Sequence, residues 1–125
     1  MENDYQISIN FWNQVFNLSD ELKEKEVKEL KEEDWQNLSP SPKVTEAIKA
    51  ISDANNLLDY GCGNGWASIC ASKFGCKNIT AVDMAQNAKE SVNFYADIFK
   101  AKGITTKPID DSWLDTQNDL YDAAL

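Results

Sequence analysis

The stretch Leu57-Leu58-Asp59-Tyr60-Gly61-Cys62-Gly63-Asn64-Gly65 constrains the fold of this chain more than any other. A short apolar run that stops on glycine reads as a buried strand, here residues 57–60. Three glycines at alternate positions then break it. Glycine tolerates positive φ and places no Cβ where backbone or ligand must come close. The next residues are helical in pattern: Ala67, Cys70, Ala71 and Phe74 recur at helical spacing, and Gly75 supplies a C-terminal stop. The spacing predicts a helix over 65–74. A strand turning sharply into a helix is the opening of a strand–helix–strand unit.

The residues downstream repeat that alternation. Asn78 to Val82 reads as a second strand with Asp83 at its end. Residues 85–102 read as a long helix whose buried stripe is Ala88, Val92, Tyr95 and Phe99, ended by Gly103. Residues 104–109 are a third strand, 111–117 a loop or short helix, and Tyr121 to Leu125 the start of a fourth strand. The expected fold class is α/β, a Rossmann-like parallel sheet with helices on both faces, truncated after strand 4, in the order 3-2-1-4. A ligand crevice is expected at the carboxyl ends of strands 1 and 4.

Upstream lie extra N-terminal helices. Ile7, Phe11, Val15 and Leu18 fall on one face of a helix over 7–18, widened by Trp12 and Phe16. Asp20 to about Asp34 is rich in Glu and Lys, with Glu21–Lys25 and Glu24–Lys28 spaced for i,i+4 pairing. Pro40 and Pro42 mark a link; Ser41 is a good N-cap for a helix over 42–52 carrying Val44, Ala47, Ile48 and Ile51. The domain division is therefore an N-terminal helical extension, 1–41, and a partial Rossmann-like domain, 42–125.

Composition narrows the function. The 125 residues suffice for one domain, with a formal charge of -9 and no histidine. The acidic excess is concentrated in residues 1–60, and every basic residue is a lysine. A basic footprint for nucleic acid is absent, so nucleic acid is disfavoured as a partner. No apolar run approaches a membrane span and the N-terminus lacks a signal sequence, so no membrane association and a cytoplasmic location are expected. Cys62, Cys70 and Cys76 form no CxxC pair, and without histidine they suggest no metal site. The usual general base near neutral pH is also missing.

The loop itself suggests a ligand. A helix that begins on glycines offers unpaired N–H groups suited to a nucleotide or an amino-acid tail. Asp59 can accept hydrogen bonds or pair with an ammonium group. Asp83, ending the neighbouring strand, reaches the same crevice and is suited to accept from two ribose hydroxyls. Asp110 and Asp111 end the third strand at the same edge. A dinucleotide-binding oxidoreductase domain is the nearest rival, but its GxGxxG fingerprint wants a third glycine where Trp66 stands.

Taken together, residues 57–65 resemble the first motif of the class I S-adenosylmethionine-dependent methyltransferases, an acid followed by GxGxG. Ala81-Val82-Asp83-Met84 resembles their second motif, Ile109-Asp110-Asp111-Ser112 the third, and Tyr121 to Leu125 the opening of the fourth strand. The resemblance covers 42–125 and implies an enzyme with S-adenosylmethionine as cofactor and S-adenosylhomocysteine as product. By it, Asp59, Gly61, Cys62, Gly63, Asn64 and Gly65 hold the methionine part. Asp83 binds the ribose hydroxyls and Met84 packs on the adenine. Asp110, or else Asp111, accepts from the adenine amino group, with Ser112 and Trp113 beside it. The family's acceptor motif lies beyond strand 4, so no catalytic residue is named. The methyl acceptor is unidentified, a small molecule being favoured. A non-catalytic S-adenosylmethionine-binding or interaction fragment, or a homodimer paired through the open strand-4 edge, is the alternative.

Overall fold

The computed structural model describes residues 4–15, 17–117 and 121–125. Among these residues, four strands, β1 (Leu57–Tyr60), β2 (Ile79–Asp83), β3 (Ile104–Pro108) and β4 (Ala123–Ala124), form one sheet in the order β3-β2-β1-β4. All three pairings are parallel, with Leu57 opposite both Ile79 and Ala123. The order and the direction are those expected from the alternation of strand and helix.

Among the described residues, five helices accompany the sheet: α1 (Asp4–Val15), α2 (Asp20–Glu29), α3 (Pro42–Ile51), α4 (Trp66–Lys73) and α5 (Ala88–Phe99). Short 3-10 turns occupy Glu32–Asn37 and Trp113–Thr116. α3 begins as its sequence dictates: Ser41 Oγ accepts from Val44 N at 3.3 Å, and Pro42 takes the first turn. α5 is shorter than its periodicity suggests. Its first residues are diverted into a turn in which Asp83 Oδ1 accepts from Ala85 N at 2.8 Å, and Lys100 closes it in a left-handed conformation.

The core lies between the sheet and α3, α4 and α5. Leu57 and Ile79 meet Ile48, Ala67, Cys70 and Ala71. Ala81 packs with Cys62 and Val92, and Ile69 with Ala96 and Phe99. Phe99, Leu57, Ile69 and Val92 are fully buried. Cys62, Cys70 and Cys76 are buried free thiols. Burial holds the Cys70 thiol up at about 11.

The N-terminal region departs from its periodicity. α2 stops at Glu29, because Leu30 turns to extended geometry and packs beside Ile69 and Phe99. Trp35 then meets Phe74 edge-on, with ring centroids 5.1 Å apart. Among the described residues, neither i,i+4 pair of α2 closes; Lys23 instead reaches Glu90 on α5 at 2.6 Å, and Glu32 reaches Lys73 on α4 at 3.1 Å. The expected apolar face of the first helix points outward, with Ile7, Phe11 and Val15 each more than half exposed. Leu18 lies beyond the end of α1, and Phe16 falls outside the described residues. Among the described residues, no helix is long and apolar enough to cross a membrane.

Candidate cofactor site

The glycine turn is held against β2 by its own backbone. Gly61 N and Cys62 N both donate to Val82 O, at 2.8 and 3.0 Å. The loop then coils back so that Gly65 N donates to Cys62 O at 2.9 Å. This path needs φ of 74° at Gly61, 57° at Gly63 and 84° at Gly65, in the left-handed region where a side chain is strained. Gly65 has a second reason to be glycine. A Cβ there would lie 2.9 Å from both γ-carbons of Val92, so its absence sets how closely α4 and α5 approach.

Asp83 ties the two loops together. Its Oδ2 accepts from Gly63 N at 2.8 Å while Oδ1 accepts from Ala85 N at 2.8 Å. An ionised carboxylate has about four acceptor positions, so each oxygen keeps capacity for a ligand donor. Gly61, Gly63, Asp83 and Met84 line one side of a crevice of about 240 Å³. The opposite wall is Ser8, Ile9 and Trp12 of α1. A Cβ on Gly61 would meet nothing within 4 Å, so open space faces the loop there. The lining combines a carboxylate that can accept from hydroxyls, bare backbone that permits close approach, and Met84 and Trp12 as apolar walls, a set that suits a nucleoside.

Asp59 sits on the other side of the loop. It is 5 % exposed, and its Oδ2 accepts from Ser68 Oγ at 2.6 Å. Burial pushes its carboxyl above the ordinary carboxylate range; the Ser68 bonds oppose this and the Asp83 charge adds to it. Asp59 and Cys62 border a larger cavity of about 500 Å³, walled by Val44, Ile48, Ile51 and Trp66. Burial, then the Asp59 and Asp83 charges, hold the Cys62 thiol far above its ordinary value. Asn64 serves the helix, its Oδ1 accepting from Trp66 N at 3.3 Å.

The residues after β3 line neither cavity. Asp110 is exposed, and its Oδ1 accepts from Ser112 N at 3.0 Å and Ser112 Oγ at 2.7 Å, which holds its carboxyl below the usual range. Asp111 is exposed, and Trp113 lies near Tyr60 with ring centroids 6.4 Å apart. Their link to the site is indirect: Ile109 N donates to Asp83 O at 2.9 Å. Sequence reasoning missed Ser68 as the partner of Asp59, and it missed Ser8 and Ile9 at the crevice and Asn13 as the partner of Gln86 and Asn87. A serine near the start of α4 gives no signal alone, and contacts between residues far apart in the chain leave none in local periodicity. Among the described residues, no group of acids and cysteines is placed to hold a metal ion.

Solved structures share this architecture. TehB from Haemophilus influenzae superposes with a TM-score of 0.55 at 28% identity, over 67% of this chain and 28% of its own. A ribosomal protein L11 methylase from Lactobacillus delbrueckii subsp. bulgaricus gives a TM-score of 0.54 at 19% identity, over 66% and 42%. The fold is thus the Rossmann-like fold of the methyltransferase class. A family model, ribosomal protein L11 methyltransferase (PrmA), matches residues 43–106, just over half of the chain. The chain belongs to this family, and the rival oxidoreductase reading falls away. The ribosomal protein L11 methyltransferase of Thermotoga petrophila is 40% identical over 42 residues, which are 34% of this chain and 16% of that relative. Such relatives are named for a protein acceptor, which overturns the expectation of a small-molecule acceptor.

Proposed function

We propose that this chain is the S-adenosylmethionine-binding portion of a methyltransferase whose acceptor is a protein, ribosomal protein L11 as in its named relatives. The observation that carries the cofactor reading is Asp83: one carboxylate bridges the glycine turn and the start of the next loop, at the edge of an open crevice. In this reading residues 42–125 form the cofactor-binding unit and residues 1–41 its helical extension. Asp83 receives the ribose hydroxyls, Met84 lies on the adenine, and Gly61, Gly63 and Gly65 keep the backbone bare. Asn64 and Cys62 shape the turn. Asp59, seated by Ser68, holds the amino-acid end, and Asp110 or Asp111, with Ser112 and Trp113 beside them, meets the adenine amino group.

The bound cofactor supplies an electrophilic methyl group on a sulfonium. The chain's own contribution is to fix its orientation and exclude water, which suits a segment without histidine. The acceptor reading rests on the family kinship, and a cytoplasmic location goes with it.

Calorimetric titration with S-adenosylhomocysteine tests the cofactor assignment. The parent is expected to bind, and Asp83→Ala to bind more weakly by about 1–3 kcal/mol, the scale of lost hydrogen bonds to a charged group. Equal affinity in the two proteins would remove Asp83 from the site. Incubation with labelled S-adenosylmethionine and ribosomal protein L11 tests the acceptor; cofactor binding without transfer to the protein would leave a binding fragment.

A further inference from the structure

α1 is tied to the site through one side chain. Asn13 Oδ1 accepts from Gln86 N at 2.6 Å and from Asn87 N at 3.3 Å, while Asn87 Nδ2 donates to Asn13 O at 2.8 Å. The turn at 86–87 runs directly from Asp83 and Met84 into α5, and amides at a helix start have no partner within their helix. Asn13 satisfies the amide of the N-cap, Asn87, and that of Gln86 before it, from a distant point in the chain.

The same face of α1 lines the crevice. Ile9 lies one turn before Asn13, and Ser8 one turn before Trp12, so the wall formed by Ser8, Ile9 and Trp12 shares two adjacent i,i+4 rows with Asn13. That wall faces Gly61, Gly63, Asp83 and Met84 across about 240 Å³. Met84 and Trp12 keep 37% and 44% of their surface exposed. A flat base between them would cover apolar area on both of its faces.

We infer that Asn13 is a positioning residue that seats α1 over the crevice, so that Ile9 and Trp12 form the second wall of a nucleoside slot and ligand binding is coupled to the docking of α1. This rests on the crevice being the cofactor site. The ligand class recognised by the wall is an adenine nucleoside with a free diol. The amino-acid tail is not needed, because none of the α1 residues borders the Asp59 cavity.

The test titrates S-adenosylhomocysteine and 5′-methylthioadenosine into the parent, Asn13→Ala, Asn13→Asp and Trp12→Ala, each first checked by thermal melting. Amide exchange across α1 is followed with and without ligand. Asn13→Ala and Trp12→Ala are each expected to weaken both ligands about tenfold, the scale of one to two lost contacts. Asn13→Ala also speeds exchange in α1. Asn13→Asp, which keeps the oxygen acceptors, restores affinity to within about twofold. A parent that binds and variants that bind as tightly would overturn the inference, as would an α1 loosened by Asn13→Ala with affinity unchanged. A parent that binds neither ligand would instead overturn the cofactor reading, and the inference with it.

Discussion

Asp59 places a carboxylate where only 5 % of the residue is exposed, with Ser68 Oγ as its side-chain partner. Burial raises its folded pKa above the unfolded value. The neutral form is therefore favoured in the folded state, so this stabilising contribution is complete below the unfolded pKa. It is lost as pH climbs through the folded one. In Asp59→Asn the side-chain oxygen still accepts from Ser68, and no charge has to be buried. Thermal melts across pH are expected to show this variant gaining on the parent as pH rises from the carboxylate range toward neutrality. A pH-independent difference, or a gap moving the other way, would contradict the burial argument. If Asp59 holds the amino-acid end as proposed, the same variant is expected to lose affinity for S-adenosylhomocysteine, because the charge that costs stability is then the one the ligand uses.

At the scale of elements, the contact between α4 and α5 depends on a missing side chain. Gly65 combines a φ of 84° with Val92 methyls 2.9 Å from where a Cβ would stand. Gly65→Ala is expected to destabilise the fold by about 2 kcal/mol or more, from left-handed strain together with overpacking. Urea unfolding reads this directly, and a loss of only a few tenths would mean that α5 can retreat at no cost. The elements with repeating buried stripes were legible in the sequence. α3, α4 and the four strands stand close to where glycine, proline and apolar spacing put them. α1 and α2 were less so, because their partners are distant in the chain. The stripe Ile7–Phe11–Val15 has helical period, yet it is exposed, and the face that carries Asn13 meets the turn at Gln86 and Asn87. α2 stops early because Leu30 and Trp35 find Ile69, Phe99 and Phe74, a tertiary choice that propensity does not encode.

For the whole molecule, the glycine turn organises two cavities that share Gly61. Asp83 serves the one under α1, and Asp59 the one beside α3. The candidate site was legible to the level of the turn and its two acids, because chain topology brings the ends of adjacent parallel strands together. Ser8, Ile9 and Ser68 were not, since none of them is encoded in local pattern. Residues 110–113 join the site through the β3 end, where Ile109 N donates to Asp83 O, and through the Trp113–Tyr60 ring contact. The central claim is that one cofactor lies along the turn between the two acids. Amide chemical-shift mapping on labelled protein during titration with S-adenosylhomocysteine, with NADH as the control, tests it most directly. Shifts are expected at residues 59–65 and 83–87 and along 8–13, with none for NADH. Shifts confined to other surfaces, or an equal response to NADH, would contradict it.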